Sequence, residues 1–373
     1  MRRAALAPVV LLASAQASAA PWTVTGEGGA EVDTNVQRVE TGPGLTTEPV
    51  SAPVLRLGAK LQHGGRVLGG GYAIALSDLT RLVANNDVAV ENVTQLAGDA
   101  HWLHPIGDRP VSAGFGVNAI DALGVSDPVG ARTFRALGAD ALLALRGSDE
   151  QRLTLGVGGR SFHYKPDPQY DYVAPAISAR LDSILWQSPD RTRSVELATS
   201  LGFEARDYDG TAFADGCPPG SKPDPACFVA TELGRRDRYA RAGVDLTYIG
   251  HQVAAIGYQM TVIDSNSFGQ SLIRHRVIAS GTTSRGKVYA TLLAILQIDQ
   301  YLDGLILERD LQHTEFTNIE DENRSSLQLH VARKLSPKWS LEVRAAAWRN
   351  IRGNTMELSF HRELVSLGLV YSH

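Results

Sequence analysis

Sulfur is scarce in this chain: three methionines and two cysteines in 373 residues. Two cysteines cannot build a disulfide scaffold, and Cys217 and Cys227, ten residues apart with no histidine beside them, do not suit a metal site. In an oxidising compartment a disulfide between them is the expected outcome. Beyond the N-terminal segment no apolar run is long enough to cross a bilayer as a helix, which excludes a helical membrane protein. The 3.6-residue periodicity of amphipathic helices is also lacking. A formal net charge of −4 gives no general attraction to nucleic acid or to anionic membranes.

What is present begins with the N-terminus. Arg2 and Arg3 precede a short apolar core, Ala4 to Ala15, and Ala17-Ser18-Ala19 has the small-x-small form of a signal-peptidase site. Residues 1–19 therefore read as a signal peptide and residues 20–373 as the mature chain, with membrane embedding possible only as a barrel.

From Trp22 onward, short alternating segments are separated by turn residues. Pro53 to His63 sets Leu55, Leu57, Ala59 and Leu61 against Arg56, Lys60 and Gln62, and turns at His63-Gly64-Gly65-Arg66. Thr192 to Asp207 sets Val195, Leu197, Thr199, Leu201 and Phe203 against Glu196, Ser200, Glu204 and Arg206. The last segment puts Val365, Leu367, Leu369 and Tyr371 opposite Leu364, Ser366, Gly368 and Val370, and ends without a terminal Phe.

The connections alternate as well. Those after Gln37, Leu79, Asp121, Tyr164, Asp207, Asp264 and Gln300 are longer and polar; the intervening ones are short and rich in Gly, Ser, Pro and Asp. Short turns at one end and long loops at the other, over about 16 segments, are the mark of a membrane barrel. The expected fold is all-β: a transmembrane antiparallel up-and-down β-barrel. Trp102, Tyr164, Trp186, Tyr248, Tyr289, Trp339, Trp348 and Tyr371 lie near segment ends, where interfacial girdles would place them. The polar segment Tyr208–Arg236, with both cysteines, reads as an outer loop able to fold inward as a plug.

If the apolar stripes face lipid, the opposite stripe lines the lumen. Its basic members are Arg56, Lys60, Arg160, Arg180, Arg206, Arg241, Arg274, Arg276, Arg324, Lys334 and Arg344. Its acidic members are Asp140, Asp182, Glu196, Glu204, Asp245 and Glu342. Such a lining favours anionic solutes, unless the charges pair across strands to brace the wall. Asp299, Asp303, Glu320, Asp321 and Glu322 are candidates for an acidic outer rim. No serine, histidine and acid stand at telling spacing, and Gly69-Gly70-Gly71 is followed by no helix that could make it a phosphate loop. The sequence calls for no catalytic residues, no cofactor, no resident metal and no nucleic-acid partner.

Several stretches resemble known barrels. Gly28-Gly29-Ala30-Glu31-Val32-Asp33-Thr34-Asn35-Val36 looks like the opening strand of several large barrel families. Asp264-Ser265-Asn266-Ser267, Arg274-His275-Arg276, and Phe360-His361-Arg362 with Gly368-Leu369-Val370-Tyr371 resemble surface-lipoprotein assembly modifiers and the barrels of Gram-negative polysaccharide export systems. Both families commonly carry helical repeats ahead of the barrel, and this chain has none. The resemblance thus implies a stand-alone outer-membrane barrel, the exit of an export pathway whose periplasmic components are separate proteins. Its partners would be outer-membrane lipid, those components and an anionic or carbohydrate solute. Two other roles fit the same pattern: a barrel that translocates surface proteins or lipoproteins, and a closed structural or adhesive barrel whose loops bind partners. N-terminal sequencing of the protein recovered from membranes is expected to begin at Ala20 or Pro21; retention of Met1 would remove the cleavage assignment.

Overall fold

The computed structural model describes residues 22–39, 41, 48–125, 132–221, 227–303, 324–350 and 359–373. The expected signal peptide and the acids Glu320, Asp321 and Glu322 lie outside them. Sixteen strands run in chain order. They are β1 (Thr23–Asp33), β2 (Ala52–Val67), β3 (Gly70–Val83), β4 (Val93–Pro105), β5 (Val111–Gly124), β6 (Phe134–Ser148), β7 (Gln151–Tyr164) and β8 (Tyr172–Gln187). The second half comprises β9 (Ser194–Ala214), β10 (Val229–Ile249), β11 (Gln252–Ser265), β12 (Leu272–Arg285), β13 (Val288–Tyr301), β14 (Ser325–Lys334), β15 (Trp339–Arg349) and β16 (His361–Ser372).

Each strand pairs antiparallel with its sequence neighbours, and β1 pairs with β16, so the sheet closes on itself. At that seam Thr25 to Asp33 run against Ser372 to Leu364. The two backbones meet closely there: a Cβ on Gly29 would lie 2.5 Å from the Leu367 carbonyl oxygen. Val24 and His373 exchange both backbone hydrogen bonds at the seam's lower end.

Side-chain alternation fixes the two faces. Val32, Leu55, Leu57, Leu76, Leu201, Ile256, Leu292, Leu327, Val365 and Leu367 are exposed, all on the outer face. Leu201 is 64 % exposed, a value no soluble protein would repeat around an entire barrel. The barrel spans a membrane.

Connections on one end of the barrel are two to six residues long, and on the other six to 23. Trp102, Trp186, Tyr248, Trp339 and Tyr371 share the outer parity near the short-turn end. The other border of the apolar band carries charge instead: Asp121 with Arg135, Asp207 with Arg236, and Glu363 with Arg349.

Three expectations are corrected. The β2–β3 hairpin does not turn at Gly64-Gly65: Gly64 pairs with Ala73 and Gly65 with Tyr72. The chain reverses at Leu68-Gly69, where φ is +52° and +75°, the left-handed pair that a two-residue hairpin turn requires. Gly65 instead makes room for the Tyr72 ring, which lies 3.1 Å from where its Cβ would be. Second, in the segment Tyr208–Arg236 the residues to Ala214 and from Val229 continue β9 and β10 as a paired hairpin, so this part extends the wall rather than forming a plug. Cys217 and Cys227 are bonded near its tip, their Cα atoms 5.0 Å apart. Phe213 and the Ser267-Phe268 loop brace it through two backbone-directed bonds.

Third, Tyr164, Tyr289 and Trp348 have the inner parity. Trp348 is 5 % exposed, and the Tyr289 hydroxyl donates to Glu342. They belong to the lumen wall and not to a girdle.

The two-faced wall makes a quantitative expectation. Leu329→Arg, on the lipid face of β14, should cost about 2–4 kcal/mol if its depth is near the bilayer centre. Gln328→Arg, one residue away on the lumen face, should cost much less. Urea-dependent folding into phosphatidylcholine vesicles reads both; equal costs would reverse the face assignment.

Candidate functional site: the lumen

The lumen is lined by every second residue of all sixteen strands, so its chemistry is fixed by register. Arg56, Lys60, Arg160, Arg180, Arg206, Arg241, Asp245, Arg274, Arg276 and Arg344 all occupy the face opposite the apolar stripe, and Arg324 continues that parity just before β14. They are not an unbroken positive lining. Most are engaged with carboxylates.

One chain of contacts crosses the seam. Arg56 Nε donates to Glu27 Oε1 at 2.9 Å, and Arg344 donates to Glu27 Oε2 at 2.9 Å. Arg344 also approaches Glu342 at 3.5 Å; Glu342 in turn contacts His330 at 2.6 Å and accepts from Tyr289. Strands β2, β1, β15, β14 and β13 are thereby tied together, and small Gly368 and Ser366 on β16 let the long side chains pass over. Closer to the long-loop end, Arg362 grips Asp33 with a two-pronged contact of 3.0 and 2.6 Å. Arg81 bridges Asp33 and Glu31 at 2.9 and 2.6 Å. Asp33 is fully buried, and the Arg362 guanidinium lies 4.7 Å from the Trp348 ring centre.

Across the barrel, Glu204 accepts from Arg206 at 2.6 Å and from Arg241 at 3.1 Å. Arg206 is packed between the Tyr172 and Tyr239 rings, 4.4 and 3.8 Å from their centres. Arg235 stacks on Tyr208 and forks onto Asp237. Tyr172 and Tyr208 join Phe134, Phe162 and Tyr164 in a buried aromatic layer along the inner wall of β6 to β9. Such a layer thickens the wall on one side of the lumen.

The remaining pairs lie within one strand or between neighbouring strands. Arg160 donates to Asp140 at 2.8 Å and Arg180 to Asp182 at 2.8 Å. Arg274 forks onto Asp299 at 2.8 and 2.9 Å, so Asp299 is a lumen group and not part of an outer acidic rim. Asp303 accepts from the Gly269 backbone N–H. Arg324 stacks on Phe360 and donates to Asn350. Asp245 packs against Gly257, whose missing side chain leaves its carboxylate room.

Sequence reasoning overlooked Glu27, Glu31, Asp33, Arg81 and Arg362 in the lumen. The signal was there: in β1 the acids share one parity while Val24 and Val32 share the other. Which acid meets which arginine was not readable, because partners such as Glu27 and Arg344 are 317 residues apart in sequence.

No family model matches the chain, and no curated protein matches it. Solved structures similar in fold include a mutant of the Rh. blastica porin, at 10 % identity and a TM-score of 0.36, covering 95 % of this chain and 99 % of that one. Acinetobacter baumannii OccAB1 aligns at 8 % identity and a TM-score of 0.47, covering 94 % and 96 %. A TodX monoaromatic hydrocarbon channel mutant aligns at 9 % and 0.40, covering 95 % and 90 %. The likeness extends to the barrel and no further.

Two substitutions test the ionic wiring. Asp33→Ala leaves two guanidinium groups buried without their acid and should destabilise the barrel by about 3–5 kcal/mol, read from its urea midpoint. Glu27→Gln removes the negative charge that Arg56 and Arg344 share, so a conducting barrel should gain anion preference, seen as a shifted reversal potential in a salt gradient; no shift would mean that Glu27 does not face the permeating ions.

Proposed function

We propose that the chain forms a water-filled channel through the bacterial outer membrane and serves as the exit conduit of an export pathway. The observation that carries this reading is the lumen itself. Barrels of sixteen strands are large enough to leave a water-filled bore, whereas about eight strands are filled by their own side chains. The inner wall carries ionised, hydrogen-bonded side chains at many levels, as Glu27–Arg344, Asp140–Arg160 and Asp299–Arg274 do. A barrel serving only as a scaffold would gain more by filling that space with apolar groups, since burying ion pairs carries a desolvation cost.

Within this reading the cargo is an anionic or carbohydrate chain such as a polysaccharide, delivered by separate periplasmic components. Arginine forks and carboxylates at the lumen surface can exchange hydrogen bonds with hydroxylated or charged solutes. The motifs around Asp264 and Arg274, similar to those of polysaccharide export barrels, favour the same class.

Single-channel recording of the folded protein in a planar bilayer tests the channel. Stable conductance with anion preference is expected. Arg274→Ala together with Arg276→Ala should reduce that preference, because Asp299 then loses its guanidinium partner. Silence from a verified folded barrel would overturn the channel and leave a closed structural barrel.

A further inference from the structure

Among the described residues, two arginines at the short-turn end of the lumen stand outside the ionic pairing described above. Arg146 on β6 and Arg152 on β7 stand directly opposite each other across the strand pair, on the inner face. Like charges in cross-strand register repel and destabilise a sheet. The cross-strand neighbour of Arg152 on its other side is Asp182, on β8. That carboxylate, however, is already held by Arg180 at 2.8 Å. Neither Arg146 nor Arg152 makes a side-chain hydrogen bond or ion pair among the described residues, and the nearby turn acids Asp149 and Glu150 make none with them.

The strand pairing is irregular beside this pair. The β6–β7 register shifts between Arg146 and Ser148, and such a bulge raises local twist and re-aims the side chains beside it. The Arg146 N–H donates to the Pro110 carbonyl oxygen at 2.8 Å, fixing the strand end against the neighbouring turn. Thr154 follows on the same face, opposite Arg180. Arg146 is exposed and Arg152 half-buried at the short-turn mouth of the lumen.

We propose that Arg146 and Arg152, with Arg180 and Thr154 beside them, form a binding site for a multiply charged oxyanion of the phosphate class at the short-turn mouth of the lumen. A doubly or triply charged oxyanion would turn the repulsion between the guanidinium groups into a shared attraction. Two-pronged donation from a planar fork is the geometry that phosphate oxygens accept. Asp182, Asp245 and Glu196 are the acids on the inner face nearest this pair, and they disfavour a ligand with a single negative charge.

Calorimetric titration of the detergent-folded barrel with inorganic tripolyphosphate at low ionic strength tests the site. Saturable one-to-one binding is expected. Arg146→Gln combined with Arg152→Gln should weaken it at least tenfold, while Arg236→Gln with Arg349→Gln, which removes the same charge from the outer face, should leave it unchanged. Tripolyphosphate should also raise the urea midpoint of the parent protein and not that of the Arg146/Arg152 variant, since a ligand stabilises only the state that binds it. Equal binding by parent and Arg146/Arg152 variant, or equal loss in both double variants, would overturn the site. Binding by a non-conducting barrel would keep the site and remove the channel; conduction without binding would do the reverse.

Discussion

In hydrocarbon no water is present to satisfy a backbone N–H or carbonyl, and that single constraint organises this molecule. An open sheet would leave two edges unpaired. Here β1 meets β16 over nine residue pairs, and the last bonds are supplied by Val24 and His373, so the ladder has no edge. Closure demands that the two terminal strands fit as closely as neighbours in sequence, and Gly29 against Leu367 shows how little space the seam leaves.

Once the sheet is closed, strand alternation assigns every side chain to lipid or lumen. Leucine and valine can then be exposed at little cost, because their solvent is hydrocarbon. Charged groups collect inside, where they are only partly hydrated and bind one another. The pairs are not local decorations of single hairpins. Glu27 joins strands on both sides of the seam, and Asp33 holds β3 and β16 onto β1. Wall bracing and lumen lining are therefore properties of the same residues.

Much of this can be read directly from the residues. Alternation in Pro53–His63 or Thr192–Asp207 depends only on neighbours two apart, and so does the inner parity of Arg56, Arg206 and Arg274. Local cues mislead where they are ambiguous. Gly64-Gly65 has the composition of a turn, but cross-strand pairing with Ala73 and Tyr72 keeps it extended, and the reversal comes later, at Leu68-Gly69. Polar residues between Tyr208 and Arg236 look like loop because protruding strands no longer face lipid and lose their apolar stripe. Nearness to a strand end suggests a girdle for Tyr164, Tyr289 and Trp348, yet parity decides their side.

Strand number, the alternation of short and long connections, and the sharing of faces among side chains are local properties, because a period of two and turn chemistry act over a few residues. The meeting of charges is not. Glu27 with Arg344, Asp33 with Arg362 and Glu204 with Arg241 are brought together by closure and register, over distances in sequence that no local pattern spans. The same register sets Arg146 opposite Arg152, leaving two positive groups side by side where composition alone would have promised each a partner.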